Sequence, residues 1–550
     1  MKFSCQFRAL LPLPRVSQRG RFWRATCALS LVYALIGCKA DVSVNDEPAD
    51  PVTQEFPLLY IERPLVLADE EPLPFDLFDP SAFNPGARLI FKKNAFAQSA
   101  ESDVLDAVFG AGALYDVKDL AVAPDGRSAI FAAHPPRKAN TPERLQPTWA
   151  LYRFDLASMQ VTPIHSSEAV RQQGHDIAPE FLTDGRIVFS STRGVAAKQI
   201  LLDEFRPQYT ALDEDNEAPV FSLHRMTADG SGIEQISFNM SHDLSPMLLA
   251  DGRLGYVRWD NQQSRSMLNV YRMTPDGSKT ELLYGWHSHS TGVANSRVEF
   301  VKPQRLASNE LAVLVTSNNA PYYNSWPMRI DIDNASDHNQ ALANKTLVGS
   351  AQTPLFPWAF SNSATIDRAG AVHSLFALHD GTERYLVSWS PCRAVVNTVT
   401  VAYSQVPAGE PLVYAAPLYG LWLFDNQAKT QVPVKPGSEG RLISEAVVLQ
   451  ARKAVPYVAD QQGRNAELAA ENAALLDIRS VYDIAGVETS AISRLRDPQQ
   501  TRSNDRPARY LRIDRQVPRP PRDVQPVPNF AFGVTAVRGM REIVGFVPIE

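Results

Sequence analysis

One twelve-residue pattern occurs twice in this chain, and its spacing restricts what the chain can fold into. His175-Asp176-Ile177-Ala178-Pro179-Glu180-Phe181-Leu182-Thr183-Asp184-Gly185-Arg186 returns 67 residues later as His242-Asp243, with Pro246, Leu249 and Asp251-Gly252-Arg253 in the same register. Each copy runs into an alternating apolar stretch, Ile187-Val188-Phe189-Ser190 or Leu254-Gly255-Tyr256-Val257. The Asp-Gly pair is therefore expected in a tight turn between two strands, where glycine supplies positive φ without steric cost. A second element repeats as Arg225-Met226-Thr227-Ala228-Asp229-Gly230-Ser231 and Arg272-Met273-Thr274-Pro275-Asp276-Gly277-Ser278.

Weaker copies extend the series. Asp119 to Arg127 leads into Ala129-Ile130-Phe131, Pro303 to Asn309 into Leu311 to Val315, Thr365-Ile366-Asp367 into Val372 to Phe376, and Leu412-Val413-Tyr414 toward Tyr419 to Phe424. Repeats of this length read as β-propeller blades, and about six units fit between residues 86 and 445. The fold class expected is all-β, a propeller followed by a small β-rich C-terminal region over residues 446–550. The units are longer than compact blades, so the surplus is expected in long loops such as Gln199 to Pro219 and Ala335 to Thr353. A β-sandwich would show shorter, more even strand spacing, and an α/β fold would need helical periods between strands. The 41 prolines also suit short strands and loops better than long helices.

The N-terminus reads as targeting. Lys2, Arg8, Arg15, Arg19, Arg21 and Arg24 precede an apolar run from Ala25 to Ile36, and no acidic residue occurs before Asp41. The run ends in Leu35-Ile36-Gly37-Cys38, which resembles the lipobox of bacterial lipoproteins. Residues 1–37 are thus expected to be a signal peptide and Cys38 the acylated mature N-terminus. Lys39 in place of aspartate favours the outer membrane, with the protein facing the periplasm. No later apolar stretch approaches the ~20 residues that cross a bilayer. Residues 38–85 read as an acidic tether and lead-in, with the first strand at Arg88-Leu89-Ile90-Phe91.

Loss of residues 1–37 removes six basic and no acidic side chains, taking the formal charge from −6 to −12. That balance disfavours nucleic acid as a partner. Of four cysteines, Cys5 and Cys27 leave with the signal and Cys38 is acylated, so Cys392 alone remains and no internal disulfide is expected.

Several landmarks together resemble the middle domain of the hydrazine synthase alpha subunit family, a propeller related to TolB-type blades. They are Gly110-Ala111-Gly112, Val117-Lys118-Asp119-Leu120, Pro147-Thr148-Trp149, the two His-Asp-x-x-Pro turns, Gln235 to Asn239, Tyr284-Gly285-Trp286-His287-Ser288-His289 and Leu386 to Arg393. Leu476 to Asp483 and Arg541 to Gly545 resemble the segment that follows the propeller in such proteins. Hydrazine synthase uses c-type haem, whose attachment needs Cys-x-x-Cys-His, and this sequence has no such motif. The resemblance therefore implies haem only if a C-terminal extension carries it. The sequence ends just after a strand-like run, Val547-Pro548-Ile549-Glu550, as though inside a β domain.

No Gly-x-Ser-x-Gly elbow, His-Glu-x-x-His helix or Walker loop is present. His175 with Asp176 and His242 with Asp243 suit packing, the imidazole bridging to a neighbouring strand and the carboxylate accepting backbone N–H bonds, with a metal or proton-transfer role as the alternative. His287 and His289 in extended chain would face the same way and offer two ligands to one metal. Asp213 to Glu217 reads as a solvated acidic loop, and Cys392 as a buried small hydrophobe or, beside Arg393, a thiol of lowered pKa. Asn465 to Leu476 predicts a short helix, and Ile478 to Ile484, Arg509 to Ile513 and Ile543 to Val547 predict strands. Two functions follow: an envelope lipoprotein whose propeller binds or scaffolds a protein partner, or a subunit of a c-type haem redox enzyme.

Overall fold

A computed structural model describes residues 56–65, 79–203, 205, 210–213, 218–262, 265–292, 295–317, 325–359, 370–407, 413–461, 465–471, 499–516 and 541–549, with single positions between 473 and 481. The signal peptide and Cys38 lie outside these residues, as does most of Asp213 to Glu217. Among the described residues the chain is a β-propeller built from antiparallel four-stranded meanders. Its first strands are β1 (Asp116–Val122), β2 (Asp176–Phe181), β3 (Asp243–Leu248), β4 (Glu299–Arg305), β5 (Ala371–Ala377) and β6 (Arg441–Val448).

From β1 the chain continues outward through Ser128–His134, Ala150–Asp155 and Gln160–Pro163. From β2 it passes through Ile187–Ser191, Ser222–Met226 and Glu234–Gln235, and from β3 through Leu254–Gln262, Arg265–Met273 and Glu281–Tyr284. The sheets begun by β4 and β5 join through the single pair Ser325 with Val372 into one eight-stranded sheet. Leu58–Pro64 pairs with β6 on one side and Arg88–Lys92 on the other, so the last propeller strand completes the first sheet. Packing contacts between first strands run β1 to β2, β3, β4, β5, β6 and back to β1. The ring is closed, which leaves few sheet edges unpaired.

Three boundaries differ from those expected. Leu58–Pro64, within the stretch expected as tether and lead-in, is a sheet strand of the propeller, with Pro57 just before it and Pro64 as its last residue. Ala371–Ala377 is a first strand, and Thr365-Ile366-Asp367, expected to lead into a second strand there, lies outside the described residues. The turn equivalent to Asp184-Gly185 is Asp380-Gly381, which precedes Arg384–Ser390. Gly420–Asp425 is likewise a third strand, not a second. Beyond the ring, Ala466–Ala470 forms a short helix, and Tyr510–Gln516 pairs with Arg541–Pro548 in a two-stranded sheet.

Aromatic and branched side chains fill the space between sheets. Tyr60, Phe131 and Phe154 lie in one cluster, Trp149, Phe189 and Phe221 in another, and Phe300 with Tyr284 in a third. Each such burial contributes roughly 1.5–3 kcal/mol relative to exposure.

Every first strand carries a bulge. The register shifts between Lys118 and Ala121, Ile177 and Glu180, Leu244 and Met247, Val301 and Gln304, Val372 and Ser374, and at the Ile61/Glu62 step opposite β6. In β2, β3 and β4 the bulged residue precedes proline and has positive φ: Ala178 at 49°, Ser245 at 49° and Lys302 at 47°. A backbone freed from its ladder needs other partners. A neighbouring first strand supplies them: Asp119 Oδ2 accepts from Ala178 N (3.0 Å), Glu445 Oε2 from Leu120 N (3.0 Å), Gln304 Oε1 from Ala377 N (3.2 Å), and the His373 ring meets Ser444 O (2.9 Å). The bulges thus interlock adjacent blades.

Burial also gives the ring a titration signature. His224, on the third strand of the β2 sheet, is fully buried with Nδ1 at 2.9 Å from Ser222 O, and burial pushes its pKa down to about 4. The unfolded chain takes up a proton near pH 6.5 that the folded chain refuses until about pH 4, so stability falls as pH drops through that window. His224→Phe is expected to lower the slope of unfolding free energy against pH by roughly 1 kcal/mol per pH unit between pH 4.5 and 6. Denaturant titrations at four pH values check this; equal slopes in both proteins would refute it.

Candidate functional site

The bulges turn side chains into the centre of the ring, where a cavity of about 230 Å³ is lined by all six first strands. Its walls carry Asp119 from β1, Glu180 from β2, Met247 from β3, Lys302 and Arg305 from β4, Phe376 from β5 and Glu445 from β6, together with His379 from the turn after β5. Glu445 and Lys302 meet at 2.8 Å across the intervening β5. Burial raises the Glu445 pKa, but the Lys302 ammonium outweighs it and the net shift is downward. Asp119 and Glu445 are committed to neighbouring backbone N–H groups, and Lys302 to Glu445, so three of the charged groups serve the ring itself.

The others do not. Arg305 lines the cavity, and among the described residues its guanidinium makes no hydrogen bond or ion pair. Burial lowers its pKa, the like charge of Arg452 adds to the effect, and the Glu180 carboxylate opposes it in part. Arg452 stands 4.0 Å from Glu180, and burial raises the Glu180 pKa. His379 is held neutral, its pKa pushed down to about 3 by burial and then by Arg452 and Arg305.

Arg452 comes from a strap that the sequence did not signal. After β6 the chain runs without regular structure from residue 449 to 461 across the rim that bears the Asp-Gly turns. Arg452 N donates to Pro124 O (2.9 Å), and its guanidinium reaches Val122 O. Farther along, Asp460 Oδ1 accepts from Arg186 (3.0 Å) and Arg225 (2.8 Å), and Gln461 N donates to Asp276. These arginines hold the Asp460 carboxyl near pKa 2. Residues 452–455 form part of the cavity wall, so the strap roofs the channel on that side.

The repeated motifs act in this architecture. Asp184-Gly185 and Asp251-Gly252 occupy the turns from first to second strand, with Gly185 N bonded to Leu182 O and Gly252 N to Leu249 O. Their aspartates accept from the backbone N of Arg186 and Arg253. His175 Nδ1 accepts from Trp149 N (3.3 Å) and His242 Nδ1 from Phe221 N (3.2 Å), each reaching the residue just before the third strand of the preceding sheet. Asp176 and Asp243 are fully buried, and their chief partners are guanidinium groups: Arg193 for Asp176 (2.5 Å) and Arg258 for Asp243 (2.9 Å).

His287 and His289 do not share a face. Their segment is a run of turns, not a strand; His287 is exposed, and His289 is buried with Nδ1 at 2.6 Å from Val298 O and Nε2 at 2.9 Å from Asn269 Oδ1. The extended chain assumed for a shared metal is therefore absent at that place. Cys392 is buried.

No protein-family model and no curated protein sequence matches the chain. Among solved structures, hydrazine synthase of Kuenenia stuttgartiensis is similar at 11% identity with a TM-score of 0.47, over 74% of this chain and 49% of its own. An oligogalacturonate lyase of Vibrio parahaemolyticus is similar at 9% identity and 0.33, over 69% and 79%. A putative TolB of Agrobacterium tumefaciens is similar at 15% and 0.22, over 42% and 89%. This chain spans about half the length of the hydrazine synthase chain. The likeness is one of propeller fold alone.

Proposed function

We propose that the protein is a lipid-anchored envelope protein, tethered through Cys38 to the outer membrane and facing the periplasm, whose propeller binds or scaffolds a protein partner. The observation that carries this reading is an asymmetry between the two rims. In an antiparallel meander the first-to-second and third-to-fourth turns share one rim, and the longer connections share the other. The strap crosses the first rim over the sheets of β1, β2 and β3. Exposed large apolar side chains are more numerous on the second, with Leu114, Leu145, Leu202, Phe205, Phe238 and Tyr414 there and Phe205 98% exposed, against Met159, Val348 and the strap's Tyr457 on the first. Large apolar groups left in water on loops of one face suit a protein interface. Among the described residues no helix is long and apolar enough to cross a membrane, and a lipid on Cys38 needs none.

The test has two arms in the native host. Cys38→Ser is expected to move the protein from the membrane to the soluble fraction; retention in the membrane would refute the anchor. A photo-crosslinking residue placed at Phe205 is expected to trap a discrete partner, and that adduct is expected to disappear in a Phe238→Asp background while persisting with Asp460→Asn on the strap rim. Equal adduct yield in both backgrounds, or no adduct, would refute the interface.

A further inference from the structure

The central cavity has a charge pattern that the ring does not consume. Beyond Asp119, Glu445 and Lys302 it contains Arg305, Arg452 and Glu180, with Lys453 at its margin; Arg452 is engaged by Val122 O and stands 4.0 Å from Glu180, whereas the Arg305 guanidinium makes no hydrogen bond or ion pair among the described residues. Two guanidinium groups face one carboxylate, and one of the guanidinium groups has no partner among the described residues. The half-buried Arg305 guanidinium has donors that nothing among the described residues occupies, and a planar five-donor fork is suited to an oxyanion. His379 adds a neutral ring that can donate or accept. Ser374 and Gln304 line the same space. A volume of about 230 Å³ admits a small molecule or a single chemical group, not a polymer.

We infer that the central chamber is a binding site for a small anion, a carboxylate or phosphoryl group, held between Arg305 of β4 and Arg452 of the strap. The inference rests on the propeller's being a binding module and adds the ligand class of its channel. Because Arg452 belongs to the strap, a bound anion also ties the strap to β4. Arg305 recognises the ligand, whereas Arg452 both recognises it and closes the roof through Val122 and Pro124.

The experiment is isothermal titration calorimetry on the full chain at constant ionic strength, with succinate and inorganic phosphate as probes and succinamide as the uncharged control. At least one anion is expected to bind, succinamide is not, and Arg305→Gln is expected to weaken binding at least tenfold. Preference for succinate or for phosphate tells a carboxylate site from a phosphoryl site. Arg305 loses no hydrogen bond or ion pair on substitution, so an unchanged melting temperature accompanies the lost binding; Arg305→Lys, which keeps the charge, is expected to recover part of it. Absence of binding by both anions, equal binding of succinamide, or wild-type affinity in Arg305→Gln would overturn the inference. None of these results depends on partner capture at Phe205, so failure here and failure of the interface are separate outcomes.

Discussion

Asp176→Ala is expected to destabilise the propeller by about 3–5 kcal/mol, because it strands a buried charge and not merely because it deletes a contact. Arg193 is 2% exposed; its Nε donates to Asp176 Oδ1 (2.9 Å) and its Nη2 to Oδ2 (2.5 Å), and Ser191 Oγ donates to the same carboxylate (2.7 Å). After the substitution Arg193 retains Val170 O and Gln173 Oε1, both on its Nη1, and the other donors face an apolar gap. Asp243→Ala, at the same place in the next repeat, is expected to cost distinctly less. Its partner Arg258 has a side chain 17% exposed and stacks 4.8 Å from the Tyr271 ring, so water and an aromatic face can take over part of the solvation. Denaturant unfolding of both variants measures the pair. Equal losses would show that the buried guanidinium is not the source of the penalty.

Gly252→Ala is expected to lift the strap from the rim. At Gly252 φ is +84°, and a Cβ there would lie 2.1 Å from Pro456 O, inside any tolerated contact. Gly185 occupies the same turn one repeat earlier with φ of +86°, yet a Cβ there meets nothing within 4 Å. Both substitutions impose the same left-handed strain of about 1–2 kcal/mol. Only the first displaces the strap. Tryptic cleavage after Arg452 and Lys453 is therefore expected to accelerate at least tenfold, about 1.4 kcal/mol in the local opening equilibrium, in Gly252→Ala and not in Gly185→Ala. Matching cleavage rates in the two variants would show that the strap is held elsewhere, at Asp460 or Arg452.

The turns were legible in the sequence because their chemistry is local. Asp-Gly-Arg must form a tight turn whatever surrounds it, and two copies in one register disclose a meander. The partners of the repeated aspartates were not legible. Arg193 follows Asp176 by 17 positions and Arg258 follows Asp243 by 15, one beyond a strand end and one within a strand, so no fixed offset marks them. The closing strand Leu58–Pro64 was hidden for a related reason: its partner β6 lies at the far end of the ring, and no local pattern reveals a pairing over that separation.

The cavity residues lay in plain view without being recognisable. Aligning repeats on the bulge proline places Ala178, Ser245 and Lys302 at one position and Phe181, Leu248 and Arg305 at another. The signal available was a charge at a position apolar in the other copies, which is what a channel-facing substitution looks like in a repeat protein. Ala178, Ser245 and Lys302 also adopt positive φ just before proline, a conformation that no residue type announces.

The pairing of Leu58 with Val448 has a consequence for biogenesis. Until residues 441–448 are available, Leu58–Pro64 has a partner on one side only, and its other edge remains open to any strand it meets. Ring closure is thus the most non-local step available to this chain and is expected to come last, after the intermediate meanders have formed. A chain emerging N-terminus first would expose that edge throughout its passage, so a holding factor or rapid completion is needed to keep neighbouring nascent copies from exchanging closing strands.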